Sequence, residues 1–401
     1  MRILHTGDWH LGKKLGNFNR IEEQRQVLDE IVQIADSENI DVVLVAGDLF
    51  DSFNPTVEAT ELLYFTLKKL TNNGTRPVIA IAGNHDSPDR IEAPDPLAKA
   101  CGIIFAGYPH SEISGMADEV KFQITNTSPG FIEIKLSNYS YPLRLILTPY
   151  ANEFRLKTYL GSENEDAHLN EILHTQWQNL ADKYCDENGV NILLAHLFVM
   201  QKDTTPPEEP EDERPINIGT AAAIFSENIP SQIQYTALGH LHRGHTVKGA
   251  VGMVNYSGSP LSYSFAEAGQ QKFVRILDIE PNIPVRVKDV ALHSGRILHR
   301  KKFDDVSLAV QWLRENTNTL VELTIQSETY LTAENRKALN TAHDGIIMII
   351  PEITSENASP SQRQNINLNE DITELFKQYF YSKKGQTPSD ELLELFKEIK
   401  H

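Results

Sequence analysis

Two β-sheets packed face to face with helices outside, an α/β fold, are what this sequence predicts, on three observations. Short apolar, β-like runs alternate with amphipathic stretches through residue 106. Hairpin-like strands and a long helical stretch follow, and strands resume to Ile279. Five of the apolar runs end abruptly in His, Asp or Asn. Ligand groups gather in that way just beyond the carboxyl ends of the strands in an open α/β sheet.

The elements justify themselves in order. Ile3-Leu4 leads into Asp8-Trp9-His10. Residues 21–37 carry Val27, Ile31 and Ile34 at helical spacing. The run 42–46 enters Gly47-Asp48-Leu49-Phe50-Asp51. A second helix over 55–72 carries Leu62, Leu63, Phe65, Leu67 and Leu70. Residues 78–82 enter Gly83-Asn84-His85-Asp86. Strands are expected at 122–124, 131–136 and 143–147, with helix across 163–187. His196 closes the run 190–195, and residues 235–238 enter Gly239-His240-Leu241-His242. Pro281 and Pro284 punctuate a boundary. Beyond it a strand (296–303), helix (306–316), strand (320–326), helix (332–341) and strand (345–350) form a small α+β unit. The expected division is therefore 1–280, 281–351, a polar linker at 352–368 and a terminal helix–loop–helix at 369–401.

Residue type sets the chemistry of the five motifs. Imidazoles, carboxylates and one amide oxygen, with no cysteine, suit Mn, Fe or Zn. Two metals about 3.5–4 Å apart need a bridging ligand, and a carboxylate has the two oxygens for it. Asp48 is expected to bridge, with Asp8, His10 and His242 completing one shell and Asn84, His196 and His240 the other. His85 is left over, placed to protonate a leaving oxygen, and Asp51 is the natural group to orient it. Taken singly, each piece has a bland explanation. His196 reads as a half-buried histidine, and Asp51 as a helix N-cap ahead of 55–72. The ordered set of five does not. His110, His168, His174, His245, His293, His299, His343 and His401 lack such a setting and read as ordinary.

The pattern resembles that of the calcineurin-like metallophosphoesterase superfamily, on Asp8/His10, Asp48, Asn84-His85, His196 and His240/His242. Longer phrases, MRILHTGDWHLG, VAGDLFD, AGNHDS, ALGHLHR and YSGSPLSYS, resemble the SbcD family of double-strand-break repair nucleases. The resemblance implies a four-layer metallophosphoesterase β-sandwich flanked by helices, a capping domain that shapes a DNA channel, and a C-terminal helical hairpin. It also implies a Mn-dependent DNA nuclease, exonucleolytic in the 3′→5′ direction on duplex and endonucleolytic on single strands. The implied partner is an SbcC-like coiled-coil ATPase, with two copies of the nuclease chain forming a homodimer inside a heterotetramer. A phosphomonoesterase or cyclic-nucleotide phosphodiesterase using the same centre, and a non-catalytic scaffold, are the alternatives. The complete ligand set speaks against the scaffold.

Composition bounds the rest. A chain of 401 residues, 40% hydrophobic and 23% charged, reads as soluble, globular and multi-domain. No run approaches a membrane span and no signal-peptide layout opens the chain, so a bacterial cytoplasmic protein is expected, and the resemblance implies that it is nucleoid-associated. Cys101 and Cys185 lie in no metal-spaced motif. A net charge of −18 is the wrong sign for a chain that grips a polyanion alone. Part of it sits in an acidic, proline-rich insert at 206–215. A partner is expected to supply most DNA affinity, with Lys13, Lys14, Arg20 and Arg90 near the scissile phosphate. At the C-terminus Ile372, Leu375, Phe376, Tyr379 and Phe380 form one apolar helical stripe. Leu392, Leu395, Phe396 and Ile399 form a second, and both are expected to dock on the ATPase.

Overall fold

A computed structural model of the chain describes residues 1–116, 120–157, 165–204, 223–327 and 331–353, and beyond them 375–377, 380, 388 and 393. Two sheets carry the architecture. The first has six strands in the order Arg286–Ala291, Phe273–Asp278, Arg2–Thr6, Val42–Val45, Val78–Ile81, Ile103–Ala106. The last four are mutually parallel, and Phe273–Asp278 pairs antiparallel with Arg2–Thr6. The second has seven, in the order His245–Val247, Met253–Tyr256, Tyr235–Gly239, Val190–His196, Leu143–Thr148, Phe131–Leu136, Phe122–Ser128. Its four central strands are parallel as well.

Alternation along each strand sorts side chains between layers. Ile3, Leu44, Ile79 and Ile81 meet Ile132, Leu145, Ile192 and Leu194 in the core between the sheets. Leu4, Val43 and Val45 face outward onto Val27, Leu28, Ile31, Leu62 and Leu67. These come from helices Ile21–Ser37 and Val57–Leu70. On the far side Ile146, Leu193 and Leu238 pack against Leu173, Trp177 and Ala181 of helix Glu165–Tyr184. Helix, sheet, sheet, helix is the four-layer arrangement. The cap of the second helix is Thr56, whose hydroxyl accepts from Ala59 N–H at 3.2 Å, so Asp51 is not an N-cap.

The chain leaves the first sheet later than its prolines suggest. Pro281 and Pro284 lie in the turn between antiparallel partners Phe273–Asp278 and Arg286–Ala291, so the first unit runs to Ala291 and not to 280. The smaller unit then alternates strands Ile297–Phe303, Thr319–Ser327 and Ile346–Ile353 with helices Val306–Glu315 and Ala333–Ala342. Its three strands are parallel. Asp305 caps the first of these helices through Ser307 and Leu308 N–H.

Two devices fasten the smaller unit to the larger. The crossing segment is latched to helix Ile21–Ser37: Glu30 accepts from the N–H groups of His293 and Ser294 at 2.9 and 2.8 Å, and Glu23 from that of Arg296 at 2.8 Å. A small apolar cluster then joins Leu15 and Phe265 to Leu298 and Leu320, with Phe18 and Ile347 packed against it. Of the expected terminal stripes, Leu375 and Phe376 are helical and half-buried, as is Phe380, whose ring lies 6.0 Å from that of Phe376. Ile372, Tyr379, Leu392, Leu395, Phe396 and Ile399 lie outside the described residues, as does the acidic insert.

Candidate metal centre

All five strand-end motifs reach one place. Asp8, Asp48 and Asn84 follow three neighbouring parallel strands of the first sheet. His196 and His240 end neighbouring strands of the second. The loops are tightly turned. Asp8, His10, Asp48 and His240 have φ of 51°, 44°, 46° and 105°. Left-handed backbone at non-glycine residues costs roughly 1–3 kcal/mol each and persists where the surroundings impose it. The imposing contacts are visible: Asp8 N–H donates to Gly47 O, His10 N–H to Asp48 O, and His240 N–H to Asp8 Oδ1, at 2.8–2.9 Å.

The glycines of the motifs are there for close approach. A Cβ at Gly47 would lie 2.3 Å from His196 Nδ1, at Gly83 2.1 Å from Asp48 Oδ1, and at Gly239 1.8 Å from Ala46 O. Nothing larger than hydrogen fits between these loops.

The donor atoms form three triads, two of which share one carboxylate. Asp8, His10 and Asp48 bring ligand atoms within 4.8 Å of one another, and so do Asp48, His196 and His240. Asp48 Oδ2 lies 3.4 Å from both His10 Nε2 and His196 Nε2. Asn84 Oδ1 faces His196 Nε2 at 2.9 Å and His240 Nδ1 at 3.0 Å. His242 Nε2 faces His10 Nε2 at 3.0 Å. Asp8 Oδ2 is buried without a hydrogen-bond partner among the described residues. Lone pairs crowded together with a buried carboxylate oxygen unsatisfied are what a bound cation resolves. The residues fit two divalent ions of the kind that imidazole and carboxylate hold.

Burial and neighbouring charges set the protonation of these groups. Burial pushes the Asp8 carboxyl up to about 6 against the opposing pull of His196 and His242. Burial opposes ionisation of Asp48 too, yet His196 and His10 hold it well below the usual carboxylate range. Burial lowers His10 and His240 to about 3, keeping both imidazoles neutral and able to ligate. For His196, burial is outweighed by Asp48, and the ring rises to about 9. Metal binding would have to displace that proton.

His85 stands outside the two triads built on Asp48 and groups instead with His10 and Asp51. Its Nδ1 is 2.9 Å from the backbone carbonyl of Asp51, so that nitrogen donates and Nε2 is left as the exchangeable position. Its N–H holds Asp48 Oδ1 at 2.9 Å. The expectation that Asp51 orients His85 therefore stands only through the main chain. The Asp51 carboxylate is engaged elsewhere, with Lys13 Nζ at 2.9 Å and His10 Nδ1 at 3.5 Å.

Three supports escape a reading of the sequence. Asp86, fully buried, accepts from the N–H groups of Gly83, Leu49 and Phe50 at 2.8, 3.0 and 2.8 Å, locking two metal loops together. Arg155 donates to the carbonyls of Gly83 and Asp86, both at 2.8 Å, and its guanidinium lies over the Tyr150 ring at 5.2 Å. Glu267 lies 3.6 Å from His242 Nδ1. Only the last has a local signal, since Ser264-Phe265-Ala266-Glu267 has capping-box spacing.

Of the four basic residues expected near a phosphate, Arg20 is misassigned. It is 1% exposed, donating to Glu23 at 2.7 Å and to the Ser262 carbonyl, and so braces the interior. Lys13 is at the centre's edge on Asp51. Lys14 is exposed, as is Arg90, which donates to Asn54 Oδ1 at 2.9 Å.

The calcineurin-like phosphoesterase family profile matches residues 1–200. Over its whole length the chain is 36% identical to the SbcD component of the SbcCD nuclease of Bacillus subtilis, covering 97% of that protein. It is 31% identical to the component of the same name from Staphylococcus epidermidis over 70% of this chain and 67% of the relative. Among solved structures a dimetal phosphatase from Danio rerio is a distant likeness, at 12% identity and TM-score 0.38 over 74% of this chain and 99% of its own. Among the described residues no helix is long and apolar enough to cross a membrane. Identity sustained from end to end with one relative, and across two thirds of another, means that the chain belongs to the SbcD family of calcineurin-like phosphoesterases.

Proposed function

We propose that the chain is the nuclease component of an SbcCD-type complex, a Mn-dependent DNA phosphodiesterase. It degrades duplex ends 3′→5′ and cuts single strands in DNA end processing, repair and recombination. The observation that carries the reading is Asp48, shared between two donor triads at 3.4 Å from an imidazole of each.

Two divalent ions held there supply Lewis acidity for in-line attack on a phosphate diester. The chain's own residues do the rest. Asp8, His10, Asp48 and His242 would hold one ion; Asp48, Asn84, His196 and His240 would hold the other. The Gly83 and Asp48 loops, tied by Asp86 and Arg155, fix the separation between the sets. His85, with Nδ1 committed to the Asp51 carbonyl, delivers a proton from Nε2 to the leaving 3′ or 5′ oxygen. Lys13 at the edge neutralises Asp51 and offers a cation to an incoming strand.

The charge of −18 supports a division of labour in which a coiled-coil ATPase brings the duplex and this chain cuts it. The parallel unit from 297 to 353 is read as the cap over the DNA channel. The segment 369–401 is the docking element, joined by a linker, and the chain is paired with a second copy in the complex. Mn-loaded full-length chain should nick circular single-stranded DNA and leave a chromogenic phosphomonoester nearly untouched. Preferential monoester turnover would instead support a phosphatase.

A further inference from the structure

Glu267 has no part in the reading above, yet its surroundings are built. The side chain is 2% exposed. Oε1 accepts from the N–H groups of Tyr263 and Ser264 at 2.8 and 3.1 Å. Oε2 accepts from the Lys272 ammonium and, at 3.4 Å, from the Ser259 hydroxyl. The open direction of Oε1 is toward His242 Nδ1 at 3.6 Å, an ion-pair separation longer than a hydrogen bond. Lys272 also donates to the His242 carbonyl at 3.0 Å. One buried ion pair therefore holds the backbone of His242 and stands behind its ring.

An imidazole that offers one nitrogen to a cation must carry its proton on the other. His242 presents Nε2 to the centre, 3.0 Å from His10 Nε2, so its proton belongs on Nδ1, facing Glu267. The same logic recurs around the site. His196 donates Nδ1–H to the Ala46 carbonyl at 2.8 Å, and His10 Nδ1 lies 3.5 Å from Asp51 Oδ1. Each imidazole with Nε2 aimed inward has an acceptor behind Nδ1. Of these three acceptors, Asp51 belongs to one of the five motifs, Ala46 directly precedes that motif, and Glu267 alone lies far from all five.

We propose that Glu267, pinned by Lys272, is the positioning residue of His242: it fixes the ring as the Nδ1–H tautomer and so sets the strength of one metal site. This rests on the two-metal reading. Partners of this kind alter metal affinity by ten- to a hundredfold on mutation.

The test titrates Zn²⁺ alone into metal-free full-length chain by calorimetry. It also records the imidazole nitrogens of ¹⁵N-histidine-labelled, zinc-loaded protein. Glu267→Gln should weaken one of two zinc sites ten- to a hundredfold and leave the other unchanged. Ser264→Ala, which loosens the same turn without touching the ring, should leave both at wild-type affinity. The wild-type spectrum should show His242 protonated at Nδ1. A folded Glu267→Gln that keeps both affinities overturns the proposal, as does an Nε2–H tautomer at His242. Where Glu267→Gln does not fold, the wild-type spectrum decides alone. A wild-type chain that takes up fewer than two zinc ions refutes the two-metal reading itself, a result distinct from either.

Discussion

Replacing Gly83 with alanine adds one methyl group where the protein has no room for it. The new Cβ would lie 2.1 Å from Asp48 Oδ1, 2.2 Å from Asp48 N and 2.7 Å from Asp48 Cγ, against ordinary contact beginning at 3.4 Å. The Gly83 loop cannot retreat, because Asp86 holds its N–H and Arg155 its carbonyl, both at 2.8 Å. Asp48 must yield, and it is the carboxylate common to two of the triads. Relieving the clash moves it by roughly 1 Å, and a misplacement of that size at a reacting centre costs on the order of a hundredfold in rate. Overpacking adds about 1–3 kcal/mol of destabilisation. The assay compares Gly83→Ala with Gly115→Ala, whose Cβ meets nothing within 4 Å. Metal stoichiometry, melting temperature and Mn-dependent cleavage of single-stranded DNA are measured on each. Gly115→Ala should match wild type. A folded Gly83→Ala with wild-type metal content and a rate within about threefold of wild type would refute the role assigned to that contact.

His85→Gln should keep metal and fold while losing about 10²–10⁴ in rate, the contribution of a positioned proton donor; Asp48→Ala should lose metal as well, by elemental analysis. Arg20→Ala should lower thermal stability by about 3–5 kcal/mol, because Glu23 is left buried without its partner. Binding of the variant to DNA in a gel-shift assay should be unchanged, and a selective loss there would restore Arg20 as a phosphate contact. Burial resists ionisation of Asp51, but His10 and Lys13 outweigh it and hold the carboxyl down at about 2. A depressed carboxyl stabilises above its unfolded value of about 3.9. That contribution is lost as pH falls toward 2, so metal-free Asp51→Asn should show a flatter acid-unfolding profile between those limits. Deleting residues 369–401 should abolish co-purification with the ATPase and spare Mn-dependent single-strand cleavage; undiminished co-purification would refute the docking assignment.

The centre is legible in the sequence because its ligands are local signals. Each stands immediately after a short apolar run, and period-2 alternation in those runs carries the layer assignment of Ile3 and Leu4. Helix Ile21–Ser37 is readable to the residue, since its apolar spacing is interrupted at both ends. What escapes depends on contacts without sequence proximity. Arg155 reaches a carbonyl 72 positions away, and a carbonyl has no residue type to recognise. Asp86 is one of many Asp residues until three N–H groups are seen to converge on it. Arg20 reads as surface because the Ser262 carbonyl that covers it is 242 positions away. At Asp51 the spacing points to the right residue and the wrong atom, a distinction composition cannot make. Pro281 and Pro284 mark a turn, and a turn inside a hairpin carries the same residues as one between domains.

The junction between the two units governs how they move. Glu23 and Glu30 grip the N–H groups of His293, Ser294 and Arg296 in the crossing segment, and Leu15, Phe265, Leu298 and Leu320 share one small core across it. A connection of that kind has no slack, so the smaller unit cannot swing by gradual degrees. It is seated, or it has broken several contacts at once, and a shared apolar core favours two discrete positions over a continuum. Leu15 lies five residues after His10, and Phe265 lies two before Glu267. A unit that unseats would therefore tug on both sides of one metal site together, making the tightness of that site an on–off readout of posture rather than a graded one.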